Sequence, residues 1–387
     1  MKKVILGGVG FVVALMGCSS TSNTAPPAST TTSTSTLTSG FAALKADAQT
    51  HVAIDTTVTQ ENIVSDLPGI AKVTDPALHN AWGLAFNPTG PAWVSANGNG
   101  TSQVYDDAGT LLLSVTIPPP SGGMPPSAPT GQVFNHFASS ALAGDLFIFA
   151  TEDGTIAGWQ PSCDGTAIIR VDNSADGAVY KGVTIAQPAG GSVQLYAANF
   201  HAGTVDVFDD HYAPITVSGA FSDPTLPTGF APFNVLGVDS AVIVTYAKQN
   251  DEAHDDVKGP GNGFVDLFSA DGVLLQRLVS GGHLNSPWGL LLAADKKDPT
   301  SIDLVVGNFG DGMINVWGLT LQGSQVNVPF VGSFADAHGN PLVIDGLWAL
   351  VFGSGASGFE TDEIYFTAGP NDEADGLFGS LAFTSTH

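Results

Sequence analysis

Cysteine is nearly missing from this chain: among 387 residues only Cys18 and Cys163 occur. A disulfide-stapled scaffold is thereby excluded, and the fold must stand on its apolar core. Basic residues are scarce too, 11 Lys and Arg against 36 Asp and Glu for a formal charge of −25. Phosphate neutralisation needs clustered Lys and Arg, so nucleic acid is excluded as a partner. The chain lacks a Gly-x-Ser-x-Gly elbow, a phosphate-binding loop and any His-x-x-x-His pair, which removes the usual serine hydrolase, nucleotide and helical zinc signatures. It has one long apolar run, Val4 to Met16, too short to span a bilayer comfortably.

That run belongs to residues 1–18, which read as an export signal: Lys2 and Lys3 precede it and small residues close it at Gly17-Cys18. Leu15-Met16-Gly17-Cys18 resembles the bacterial lipobox, and the resemblance implies cleavage before Cys18 and acylation of its thiol. Ser19 in place of an aspartate fits passage to the outer membrane of a Gram-negative cell. The expected address is therefore the cell envelope, with the chain a monomer held to the membrane by its N-terminal lipid. Residues 19–49 are rich in Ser and Thr, too poor in apolar surface to offset the entropy of ordering them, and are expected to act as a tether. One short helix is allowed by Phe41, Leu44 and Ala48.

Residues 50–387 carry no low-complexity interruption and read as one large domain. Trp82-Gly83-Leu84 returns as Trp288-Gly289-Leu290 and, altered, as Trp348-Ala349-Leu350. Each copy opens a series of short apolar strands separated by Gly, Asn and Asp turns, as in Asn97-Gly98-Asn99-Gly100 and Asp106-Asp107-Ala108-Gly109. Leu195 to Asn199 before Thr204 to Phe208, and Leu304 to Asn308 before Met313 to Trp317, repeat the pattern. Six such units, each roughly fifty residues long, predict an all-β, six-bladed β-propeller, with five or seven blades as the range. Val58 to Asp66 is placed to add the outer strand of the last blade and close the ring.

Strands that end in Asn and lead through Gly into a β-branched strand resemble the blades of NHL-repeat propellers. Asn62-Ile63-Val64-Ser65-Asp66-Leu67-Pro68-Gly69, followed by Trp82-Gly83-Leu84, resembles the opening signature of an uncharacterised family of exported bacterial propeller proteins. That resemblance implies a fold and no mechanism.

In a propeller, loops entering the first strand of each blade and loops leaving the second share one face. The repeat assigns to that rim His79, Asn80, Asn97, His136, Glu152, Asn199, His201, His283, Asn285, Asn308, Asp345 and Asn371. Asn at a strand end is also a routine turn former, so a binding rim and a set of turn caps are both open. Six-bladed calcium lactonases resemble this architecture, and Glu152, Asn199, Asn308 and Asp345 could mimic their metal ligands, with calcium as the cation considered. Their surroundings do not reproduce that family's motifs, so no residue is taken as catalytic. Asp251-Glu252-Ala253-His254-Asp255-Asp256 and Asn371-Asp372-Glu373-Ala374-Asp375 read as solvated acidic loops. Trp82, Trp288 and Trp348 are expected to pack between blades. The sequence leans toward a non-catalytic module that binds a protein, glycan or small molecule through one face; a metal-dependent hydrolase at the channel mouth is the alternative.

Overall fold

In the computed structural model, residues 30–48, 56–216, 219–295 and 297–383 are described; the signal segment and Cys18 lie outside them. Six sheets radiate around a channel. Blade 1 consists of Ala81–Phe86, Ala92–Ala96, Thr101–Tyr105 and Leu111–Thr116. Blades 2 to 5 begin with Pro129–Phe134, Tyr180–Ala186, Phe230–Val238 and Pro287–Ala294 and continue outward as antiparallel meanders. Blade 6 takes Leu347–Phe352, Glu363–Ala368 and Leu377–Phe383 from the C-terminal end and its outer strand, Val58–Ser65, from the N-terminal end. The two termini pair in register from Val58 opposite Phe383 to Ser65 opposite Leu377. Sequence patterning predicts this six-bladed ring and its closing strand.

The first strands explain why Trp-Gly-Leu recurs. All six break register with their neighbour shortly after they enter the channel, at 81/84, 129/132, 180/183, 232/234, 287/289 and 347/350. Such a bulge turns one extra side chain toward the axis. Gly83 then lies against the backbone of blade 2, where an added Cβ would fall on the Thr130 carbonyl, and Gly289 against blade 6, where an added Cβ would come 2.8 Å from the Trp348 carbonyl. Only glycine permits that approach of neighbouring first strands. The preceding tryptophans meet in the channel itself: Trp82 stacks on Trp348 with centroids 3.6 Å apart, and Trp288 meets Trp348 edge-on at 6.0 Å. The expectation that they pack between blades is corrected here. Blades 1 and 5 are not adjacent, so only the axis lets their rings join one cluster.

A second correction concerns residues 19–49. A helix spans Thr30–Ala48 and starts well before Phe41. Leu37, Phe41, Leu44 and Ala48 are buried at helical spacing in one cluster with Val238, Ile243, Leu290 and Leu304 of blades 4 and 5. The Ser- and Thr-rich first turns have poor intrinsic helicity. Burial of the apolar stripe, a tertiary effect, carries them.

Candidate functional site

Register identifies the site. The channel position held by Trp82, Trp288 and Trp348 belongs in blade 3 to Lys181, within Tyr180-Lys181-Gly182-Val183. Its side chain is 2% exposed and its Nζ stands 5.2 Å over the Trp82 ring and 5.8 Å over the Phe200 ring. A buried ammonium needs counter-charge. Glu152, on the loop leaving the second strand of blade 2, pairs with it directly, and Asp255 of the long blade 4 insertion lies 3.5 Å away. Burial works against the charge of Lys181, but Glu152, Asp255 and Glu373 outweigh it and hold its pKa above the ordinary lysine value.

A polar chain crosses the mouth from blade 6 to blade 2. Asn80 Nδ2 donates to Glu373 Oε2 at 2.8 Å, while Asn80 Oδ1 accepts from Trp348 Nε1 at 2.9 Å. Asn97 Nδ2 donates to Glu152 Oε2 at 3.0 Å. Asn80 has φ of 47°, a left-handed conformation that Asn tolerates better than most residues. Burial, then the nearby Glu152 charge, pushes Glu373 from its ordinary value of 4.5 up to about 7. Burial also raises Asp256, beside Ser286. A 2.8 Å contact pairs His254 Nδ1 with Asp255, and that hydrogen bond raises the imidazole pKa and lowers the carboxyl pKa. Ligand atoms of Glu152, His254 and Asp255 all lie within 4.8 Å of one another.

Of the residues assigned to the rim, the structure unites Asn80, Asn97 and Glu152. Asn199 bonds Asp206 at 2.9 Å and caps its own turn, and Asn308 and Asn285 both donate to Asp311, at 3.0 and 3.2 Å. Asp345 receives the backbone N–H of Asn371, whose side chain donates to Asp375. His79 leans toward Asp66 at 3.5 Å, exposed His201 borders Gly177, and His283 stacks on Phe330 at 3.8 Å. His136 follows the first strand of blade 2, Pro129–Phe134, so it sits at the opposite end of the channel, a correction of its place on this rim. The calcium-type set is likewise corrected: among the described residues the groups of acidic and histidine side chains close enough to share a metal are Glu152–His254–Asp255 and the surface trio Asp209–Asp210–His211. Neither includes Asp345.

Sequence reading missed Lys181, Glu373 and the approach of His254-Asp255-Asp256 to them. Lys181 had a usable signal, a lone lysine before Gly182 in the slot that blades 1, 5 and 6 fill with tryptophan. The expectation of a non-catalytic module is overturned by this geometry. A His and carboxylate set beside a buried lysine and a carboxyl poised near neutrality is equipment for metal-assisted and proton-transfer chemistry.

No family model matches the chain. Uncharacterized protein L690 of Acanthamoeba polyphaga mimivirus is 30% identical over 335 residues, covering 82% of this chain and 84% of that protein. Uncharacterized protein R648 of the same virus is 31% identical over 334 residues, covering 82% and 78%. Among solved structures, a streptogramin B lyase aligns over 85% of this chain and 98% of its own at 10% identity and TM-score 0.48. The PQQ-bound aldose sugar dehydrogenase of Streptomyces coelicolor aligns over 85% and 99% at 12% identity and TM-score 0.45. These last two likenesses concern the propeller fold and assign no chemistry to this chain.

Proposed function

The chain belongs to the propeller family of the mimivirus proteins L690 and R648, and we propose that its channel mouth is a metal-assisted hydrolytic site. The observation that carries this reading is the convergence of Glu152, His254 and Asp255 ligand atoms within 4.8 Å. One imidazole with two carboxylates is a mixed nitrogen and oxygen set, better suited to Zn²⁺ or Mn²⁺ than to the all-oxygen shell of Ca²⁺. A bound divalent ion would supply a water of lowered pKa. Glu373, with its pKa near 7, is matched to accept or return a proton at neutral pH. Lys181 places a fixed positive charge where a developing oxyanion can use it, over an aromatic floor that keeps the local dielectric low.

Metal and protons compete here. A ligand histidine must be neutral, and His254 is raised by Asp255; the Lys181 ammonium also holds two of the three ligands. Affinity should therefore rise with pH, and the rise should extend above the ordinary histidine value because His254 is raised. Elemental analysis of the purified protein with calorimetric titration of Zn²⁺, Mn²⁺ and Ca²⁺ tests the reading. We expect one ion per chain and a loss of affinity of about 100-fold or more in Glu152→Gln, larger than the about 10-fold to 100-fold typical of an indirect supporting partner. Metal-free protein with no saturable binding up to millimolar ion would sink the proposal.

The export reading is also a proposal. Lys2 and Lys3, the apolar run and Leu15-Met16-Gly17-Cys18 support an acylated Cys18 and attachment to the envelope, as the resemblance to exported NHL-like propellers implies. Acyl chains buried at about 0.8 kcal/mol per methylene hold a protein firmly. Cys18→Ala should move the protein from the membrane to the soluble fraction; membrane retention of the variant would refute the anchor.

A further inference from the structure

Away from the mouth, Arg277 on the outer strand of blade 4, Leu274–Ser280, stands between two buried carboxylates. Its Nε donates to Asp266 Oδ1 at 3.1 Å on the neighbouring strand Phe264–Ser269, and its Nη2 pairs with Asp223 Oδ2 on the crossover that leads from blade 3. The Asp266 and Asp223 side chains are 0% and 1% exposed. Nη1 also reaches the Thr225 carbonyl at 3.4 Å, and the guanidinium lies 4.8 Å over the Phe264 ring. One side chain thus ties the crossover to blade 4. The crossover is a wedge between two blades: Phe221 is buried against Tyr196 of blade 3 and Phe268 of blade 4, with centroids 5.5 and 5.2 Å apart.

The charge count in this cluster is uneven. With both acids ionised, two carboxylates out of reach of water would share one guanidinium, and a buried charge without a partner is strongly disfavoured. Asp223 is the acid equipped to be ionised, since its Oδ1 accepts the Thr225 N–H at 2.7 Å and the Thr225 hydroxyl at 2.8 Å while Oδ2 faces Arg277. Asp266 Oδ2 is buried and meets no donor among the described residues, and neither does the buried Tyr246 Oη on strand Ala241–Lys248 find a partner. Three groups face Asp266 from the elements packed on it: Arg277 from the outer strand, Asp223 from the crossover and Tyr246 from the inner neighbouring strand. Burial raises Asp266 from 3.8 to about 7, with Arg277 opposing the shift and Asp223 adding to it. Burial works against the charge of Asp223 as well, yet its Thr225 and Arg277 contacts lower it. Tyr246 is pushed up by burial and by both acids, so it keeps its proton.

We propose that Asp223, Arg277 and Asp266 form a pH-set latch on the wedge between blades 3 and 4: a proton kept by Asp266 holds the crossover shut, and its loss frees residues 219–229 to open locally. A group raised in the folded state stabilises that state fully below its ordinary value and less as pH climbs to the folded one. The latch is therefore tight below about 4 and loosens up to about 7. It shares no residue with the Glu152, His254 and Asp255 cluster, so it stands whether or not metal binds there.

Hydrogen exchange of the full chain, corrected for the pH dependence of the chemical step, reads the opening of residues 219–229. The opening constant is expected to rise about tenfold per pH unit from about 5 to 6.5 and to level off above about 8. Asp266→Asn keeps an acceptor for Arg277 and gains a donor for Asp223, so the segment should stay as protected at pH 8 as the native chain is at pH 5. Asp223→Asn leaves Arg277 a single acid to neutralise and should flatten the response too, so either folded variant carries the test. Glu373 and Asp303 also titrate at about 7, and the strand Ala92–Ala96 of blade 1 serves as the reference for opening of the whole ring. Protection of residues 219–229 that does not change with pH, a change matched in the reference strand, or a slope that survives in a folded variant would overturn the latch.

Discussion

Lys181→Met is expected to destabilise the propeller by about 3 to 5 kcal/mol at pH 8, the usual consequence of removing one partner of a buried ion pair. Methionine has nearly the reach of lysine and suits the aromatic neighbours Trp82 and Phe200, so the loss is electrostatic and not a cavity effect. The pH dependence separates the two. In the native chain Glu373 titrates at about 7 against an ordinary 4.5, so the folded state binds more protons than the unfolded state between those values. Stability contributed by this group is therefore full below about 4.5 and is lost as pH rises toward about 7. Lys181 is one of the groups holding Glu373 down, and its removal moves that folded pKa higher and extends the loss to more alkaline pH. Denaturant unfolding at pH 5.5 and 8 should show the larger deficit at the second, where Glu373 adds its charge to that of Asp255, whose carboxyl pKa is lowered. Divalent metal should stabilise the variant more than the native chain, since no ammonium competes for Glu152 and Asp255. A deficit below about 1 kcal/mol that does not change with pH would show that the lysine is not compensating buried carboxylates.

Replacing Val58–Ser65 by a Gly-Ser segment of equal length should abolish the cooperative melt. That strand buries Val58, Ile63 and Val64 at 1%, 2% and 0% exposure, worth about 1.5 to 3 kcal/mol each, or about 5 to 9 together. A whole domain has about 5 to 15 kcal/mol, so the ring has little left. The strand also ties blades together: the Val58 N–H donates to the Ala335 carbonyl at 2.9 Å, beyond blade 5, and Val64 lies under Gly109 of blade 1. Equal length preserves the N-terminal helix and its connection, so the loss is assigned to the strand. A peptide of residues 58–65 added in trans should recover part of the transition by pairing with Leu377–Phe383. An unchanged melting midpoint would count against closure as a source of stability.

Legibility varied along the chain for physical reasons. Blades 1, 5 and 6 announce themselves by tryptophan because the bulged residue faces an aromatic axis. Blade 2 carries Pro129-Thr130-Gly131-Gln132 at the same register, with no aromatic marker, so the repeat pattern puts His136 one strand early and at the wrong end. Asp255 looks like any solvated acid in a loop of Asp, Glu and His. It reaches Lys181 while its own side chain stays 61% exposed, because the blade 4 insertion returns across the mouth, with the Asn250 N–H bonded to the Asp255 carbonyl at 2.8 Å and the Val257 N–H to the Lys248 carbonyl at 2.7 Å. Glu373 is similar: φ of 58°, 51° and 66° at Asn371, Asp372 and Glu373 coils the turn, and Asn80 takes up the carboxylate.

Repetition, turn chemistry and period-two strands are local properties, and they determined from the sequence alone that this chain is a six-bladed propeller closed by its N-terminal strand. Composition also set the acidic balance, 11 Lys and Arg against 36 Asp and Glu, and left only two cysteines. Only the tertiary structure decided where the charges meet. Glu152, Lys181, Asp255 and Glu373 come from blades 2, 3, 4 and 6, and no spacing along the chain encodes their contact. Ring closure brings them together at the channel mouth, and the burial of Lys181 there makes their charge matter.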